Sequence, residues 1–200
     1  MFIIALDYLL EMAPDSPQAS RWKSLREGIE RNVRAHLWDE KRQKFIPHIY
    51  PEKSPIPEGF DELAIHYHGG TAVAIEAGLL SKDEIRTVNA QMLENVRLSG
   101  MPSIGLTLYP VYPDGFFHGG MSKAYLYQNG GDWTWFGGRM IQQLVVNGMV
   151  EEAYAEIHPM IERVIQNDGF YEWYGKGGVP SGSGNFKGSA GVLSKAIELL

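Results

Sequence analysis

The sequence contains no cysteine, which removes disulfides, thiolate nucleophiles and cysteine metal ligands as sources of stability or chemistry. It also lacks an apolar run of the roughly 20 residues that a membrane-spanning helix needs. The opening Met1 to Leu6 is apolar, but no basic residue precedes it and Asp7 and Glu11 interrupt it, so it reads as a helix rather than a signal peptide. Localisation is therefore cytoplasmic or periplasmic, with nothing in the chain to separate the two. A surplus of positive charge is missing too: 18 Lys and Arg face 24 Asp and Glu, for a net charge of -6. Binding to polyanions relies on a basic surface that releases counterions, so nucleic acid and anionic membranes are excluded as expected partners. There is no Gly-x-Ser-x-Gly elbow, Walker loop or dinucleotide fingerprint, and no cofactor is expected.

What is present is a chain of 200 residues, 44% hydrophobic, enough for one domain with a sizeable core. Its apolar residues recur at helical spacing. Leu25, Ile29, Val33 and Leu37 predict a helix over about 17–38, and the Pro14-Asp15-Ser16-Pro17 break makes 2–12 the preceding arm of a hairpin. A second pair is expected over about 60–77 and 81–96, with Ser81 and Glu84 as a capping box and Ile85, Val88, Met92 and Val96 as the buried stripe. A third runs over about 133–146 and 151–165, turned at Asn147-Gly148, with Ala153, Ile157, Met160, Ile161 and Val164 inward. A last helix covers about 189–200. Long connections at about 39–59, 98–130 and 167–188 exceed the usual length of about 4–6 residues, and such loops tend to carry function. Short extended pieces are expected within 44–50 and 104–109. The pattern is all-α, a toroid of helical hairpins with long loops on one face.

Aromatic residues make up 12% of the chain and there are 23 glycines, both gathered between about residues 100 and 190. Sugars present flat C–H faces that pack on aromatic rings, and glycine lets backbone approach a ligand closely. The same composition also describes a packed aromatic core with glycine turns.

The run from Tyr127 through Gln128-Asn129-Gly130-Gly131-Asp132-Trp133 to Trp135, followed by a helix, resembles the Asn-Gly-Gly-x-Trp signature of the six-hairpin (α/α)6-toroid glycosidases, which include trehalase-like, glycogen-debranching-like and glucosidase-like proteins. Trp38-Asp39-Glu40 with Phe45-Ile46-Pro47, Gly69 to Val73, Ala77 to Ser81, Gly169 to Tyr174 and Gly188 to Val192 are similar to the same superfamily. The resemblance implies that residues 1–200 form one domain corresponding to the C-terminal half of such a ring. It implies an oligosaccharide or glycan substrate, and an N-terminal half or self-association to complete the toroid. It also implies a general base in a loop near the last two helices and a general acid from a middle hairpin loop. Where trehalase-like members carry their base in a Gly-Gly-Gly-Glu turn, this chain has Val179 to Gly184 and no carboxylate.

Glu172 is the first candidate for a catalytic carboxylate. Tyr171, Trp173 and Tyr174 flank it, and enclosure by such rings raises a carboxyl pKa by desolvation. Asp132 is the second; at the start of a helix it either caps that helix or points into the central hollow. Gln128, Asn129, Arg139 and His68 are candidates for binding sugar hydroxyls, and Trp133, Trp135, Tyr171 and Trp173 for stacking, with Trp133 the favoured platform. Asp61 and Glu62 offer further acids, although acidic residues in a first helical turn are ordinarily dipole partners. His66 and His68, two residues apart, fall on different faces of a helix, so no metal is expected. Residues 109–120 read as a lid or subsite wall, or as a packed Ω-loop. The leading functional expectation is a glycoside hydrolase using carboxylate acid/base catalysis. The alternatives are a sugar 2-epimerase using His66, His68 and His118, and a non-catalytic glycan-binding half-toroid.

Overall fold

A computed structural model describes residues 1–200 as seven α-helices joined by alternating short and long connections. They are α1 (Phe2–Met12), α2 (Ala19–Leu37), α3 (His68–Glu76), α4 (Lys82–Ser99), α5 (Thr134–Val146), α6 (Val150–Gln166) and α7 (Lys187–Leu199). The α4 start is built as its sequence dictates. Glu84 N–H donates to Ser81 Oγ at 3.3 Å, and Ser81 N–H donates back to the Glu84 carboxylate at 2.8 Å. Gly100 closes the same helix in the left-handed conformation.

Helix α5 is central: α3 and α7 pack on either side of it and α6 packs behind it, while α1 packs on α2. One core gathers Ile3 and Ile4 of α1, Ala72 and Ile75 of α3, Ile85, Val88 and Met92 of α4, Met140, Ile141 and Leu144 of α5, Ala153, Ile157 and Met160 of α6, and Leu193 and Ala196 of α7. The result is an arc of hairpins, a partial α/α toroid. Residues 38–67, 100–133 and 167–186 each lead into the N-terminus of α3, α5 or α7, so the three long connections collect at one end of the arc.

Six two-residue strands lie there: β1 (Trp38–Asp39), β2 (Lys44–Phe45), β3 (His66–Tyr67), β4 (Leu108–Tyr109), β5 (Trp173–Tyr174) and β6 (Pro180–Ser181). They pair antiparallel as β1–β2, β3–β4 and β5–β6. Isolated bridges join Leu106 to Asp132 and Asp132 to Tyr174. His68 N–H donates to Thr107 O, Thr107 N–H to Gly131 O and Trp133 N–H to Gly105 O, all at 2.8–2.9 Å. The long loops are thus sewn together by backbone hydrogen bonds into a layer across the end of the arc, which satisfies polar groups that would otherwise be buried unpaired.

Two expectations change. The arm over 60–77 is helical only from His68, because His66 and Tyr67 pair in register with Tyr109 and Leu108, and Glu62–Ala64 forms a single 3-10 turn. The α2 stripe is also shallower than its periodicity suggests: Ile29 and Val33 pack partly on the core, but Leu25 is 42% exposed and no α2 residue is buried. No helix is long and apolar enough to cross a membrane.

Candidate functional site

The turn 127–133 and the loop 167–186 meet face to face. Asp132 N–H donates to Tyr174 O at 2.9 Å and Tyr174 N–H returns a bond to Asp132 O at 2.8 Å. Two residues before Tyr174, just ahead of β5, Glu172 is half-buried. Its backbone N–H donates to Ser183 O at 2.9 Å. Its carboxylate receives only long bonds, from Tyr127 OH and from Ser183 N–H, each at 3.4 Å. Gly182, with φ at +72°, passes so close that an added Cβ would collide with the Glu172 carboxyl group. Tyr127 packs edge-on against Trp133, ring centroids 4.9 Å apart, and against Trp173 at 6.2 Å. Burial and the neighbouring Glu172 charge push the Tyr127 phenol pKa up, so the phenol stays a hydrogen-bond donor. A loosely bonded carboxylate flanked by aromatic rings is therefore held at the loop end of the arc.

Asp132 does not share that setting. It is fully buried, with Ser103 Oγ bonded to both carboxylate oxygens at 2.9 and 2.7 Å and Arg163 Nη1 lying 2.7 Å from Oδ1. The Nη1 contact is a charge pairing rather than an aligned hydrogen bond, whereas Arg163 Nη2 donates to Thr134 Oγ1 at 2.6 Å. The guanidinium also lies over the Tyr174 ring, 4.1 Å from its centroid. The carboxylate points inward and fastens the start of α5 to α6.

The remaining candidates divide. Trp173 and Tyr171 are half-buried in the Glu172 loop, and Gln128 is exposed with no side-chain bond in the fold. Trp133 is 5% exposed and its indole N–H donates to Tyr127 O at 3.2 Å, so it supports the ring above it rather than offering a platform. Asn129 is fully buried: its amide accepts from Tyr112 N–H at 2.9 Å and donates to Tyr112 O at 3.1 Å, fixing the 105–117 loop. Arg139 pairs with Glu76 and stacks over Trp135 at 4.4 Å, which occupies both on the helix wall. His68 is sealed, with Nε2 against Asn95 Nδ2 at 3.1 Å, and burial pushes its pKa down to about 3, keeping it neutral. Sealed within the fold, His68 is not open to a ligand, whereas His66 is half-buried and His118 exposed.

A second polar assembly was not foreseen as a unit. Glu62 Oε1 accepts from Tyr112 OH at 2.6 Å and Tyr50 OH at 2.8 Å and lies 2.7 Å from His48 Nδ1, and Tyr67 OH sits 3.0 Å from Tyr112 OH. Burial raises the Glu62 pKa, but these bonds outweigh it and leave the carboxyl below its usual range. Tyr112, fully buried, stacks on Phe116 and meets Phe117 edge-on, with ring centroids 4.8 and 4.9 Å apart. Residues 109–117 are thus a packed Ω-type loop anchored by its aromatics.

No protein-family model matches the sequence, and no curated protein matches it. Solved structures do share the fold. A GH63 mannosylglycerate hydrolase from Thermus thermophilus, in complex with Tris and D-glycerate, superposes with a TM-score of 0.65 at 19% identity, over 98% of this chain and 42% of that one. An uncharacterised conserved protein from the same organism gives 0.65 at 18% identity, over 98% and 43%. The mannosylglycerate hydrolase in complex with glucose gives 0.64 at 18%, over 98% and 42%. These likenesses establish the toroid fold, and the chain spans little more than two-fifths of the length of each.

Proposed function

We propose that this chain forms the base-bearing wall of a glycan-hydrolysing site, with Glu172 as the carboxylate that activates water. The observation that carries this reading is the contrast between the two candidate acids: Asp132 is locked into an internal ion pair, while Glu172 is half-open, weakly bonded and set among Tyr127, Tyr171 and Trp173. Inverting hydrolysis needs a base on one side of the sugar and an acid about 6.5–9.5 Å away that protonates the leaving oxygen. On this reading Glu172 takes the proton of the attacking water, Trp173 and Tyr171 hold the sugar face, and Asp132 acts as a positioning residue. The acid then comes from the side that the arc leaves open. The likeness to a mannosylglycerate hydrolase supports placing glycosides of small hydroxy acids first among substrates to be tried.

The test is sugar release from a panel of glycosides headed by mannosylglycerate, with sugar affinity measured in parallel. Glu172→Gln should lower turnover by about 10²–10⁴-fold while leaving affinity nearly unchanged. Full activity in that variant would overturn the assignment. A second reading, glycan binding without hydrolysis, is favoured by there being one open carboxylate here rather than two. Sugar binding with no turnover even when the acid-bearing side of the ring is supplied would decide for it.

A further inference from the structure

Sharing no residue with this wall, a cleft of about 780 Å³ lies between residues 42–66 and α4. Lys44 stands in it. The side chain is only 3% exposed, and its ammonium donates to the Ile65 carbonyl, yet no carboxylate lies within ion-pairing distance. The nearby acids are otherwise engaged or too far: Asp39 pairs with Arg42 at 2.8 Å, Glu94 forms two bonds to Arg97 at 2.5 and 2.7 Å, and Asp61 acts on Lys44 only from longer range. A buried ammonium with one carbonyl partner and no counter-charge is a costly arrangement, which a bound anion would relieve.

The walls carry a second requirement. Gln91 donates its amide N–H to Arg42 O at 2.9 Å, which leaves Gln91 Oε1 buried with no donor. His66 faces the same cleft, and burial, reinforced by the Lys44 charge, pushes its pKa down to about 4, so it is a neutral imidazole beside the cation. One unpaired cation and one unpaired acceptor in a single cleft call for a ligand with an oxyanion at one end and a hydroxyl at the other.

We propose that this cleft binds a small hydroxylated oxyanion, with Lys44 holding the charge and Gln91 Oε1 accepting from the hydroxyl. The site is separate from Glu172, and the inference stands or falls independently of the hydrolytic reading.

The unaltered chain, titrated with glycolate, glycerol phosphate and neutral glycerol, tests it by NMR of the His66 ring and by calorimetry. Saturable one-to-one binding of either anion, roughly tenfold or more tighter than glycerol, is expected. A response to only one of the two assigns carboxylate or phosphate as the charged end. Lys44→Met should remove the anion preference, and Gln91→Leu should remove the preference for glycolate over acetate. Should Lys44→Met fail to fold, Thr87→Glu places a negative charge on an exposed wall residue and should weaken anion binding by about tenfold. Anion affinity equal to that for glycerol, or affinity unaffected by these substitutions, would overturn the proposal.

Discussion

Asp132 and Arg163 form an ion pair with 2.7 Å between charged atoms and almost no exposure on either side, 0% and 5% of the side chain. Around it converge Ser103 from the long loop, Thr134 from the first turn of α5 and the ring of Tyr174 from the Glu172 loop. Removing one member leaves the other charged and buried, and such losses cost about 3–5 kcal/mol. Asp132→Ala is therefore expected to lower unfolding stability by that amount in urea melts. A loss below about 1 kcal/mol would mean the pair does not hold the loops, since even exposed pairs reach that range.

Trp173→Ala should weaken sugar binding by about 1–3 kcal/mol without altering stability to the same extent. Trp133→Ala should do the reverse, because its ring is packed under Tyr127 rather than presented to solvent. Paired calorimetric titrations and melts of the two variants would separate the roles; equal effects of both on binding would contradict this division.

Gly182→Ala combines a backbone angle of +72° with a methyl group directed at the Glu172 carboxyl. A stability loss of about 1 kcal/mol is expected from the backbone alone. Any displacement of Glu172 should appear as a fall in turnover larger than the fall in stability. A variant with unaltered melting and turnover would show that the approach relaxes freely.

Two carboxylates predict opposite pH behaviour. Burial raises the Glu156 pKa to about 7, above the ordinary 4.5, although Asn89 donates to it at 2.6 Å. The folded state then binds the proton more tightly than the unfolded chain, so stability declines as pH rises from about 4.5 to about 7 and stays lower beyond. Glu156→Gln should be more stable than the parent by about 2–3 kcal/mol at pH 8, with the gain vanishing below about pH 4.5. Constant gain across that range would place the cause outside Glu156 ionisation.

Glu62 titrates the other way. Its pKa lies below 4.5, so its stabilising effect is complete above that value and is lost as pH falls through the lower folded-state value. Glu62→Gln is expected to destabilise by about 1–3 kcal/mol at neutral pH, where its hydrogen-bond donors lose a charged acceptor, and much less in strong acid. Urea melts under the two conditions check this; a pH-independent penalty would contradict it.

The helices were legible because burial on one side imposes a 3.6-residue period: α4, α5, α6 and α7 begin and end within a few residues of their sequence patterns, and the Ser81 capping box forms as its spacing implies. The segment 60–77 was not. Its extended start depends on Leu108 and Tyr109, far along the chain, and local periodicity carries no trace of that pairing. The meeting of the turn 127–133 with the loop around Glu172 rests on backbone bonds between Asp132 and Tyr174, 42 positions apart, which no local pattern encodes. The burial of Asp132 was equally hidden, because Ser103 lies 29 positions before it and Arg163 is comparably distant on the other side, so neither leaves a local signal. Asn129 and His68 are hidden for the same reason: the Asn129 amide is taken up by Tyr112 and His68 Nε2 by Asn95, partners visible only after folding.

The paired backbone bonds between Asp132 and Tyr174 have a mechanical consequence. They clamp the turn bearing Tyr127 and the strand beside Glu172 into one plate, so ring and carboxylate cannot drift apart independently. On the proposed reading, a sugar landing on that plate would find its contacts already arranged, and little further ordering of the chain would oppose its binding.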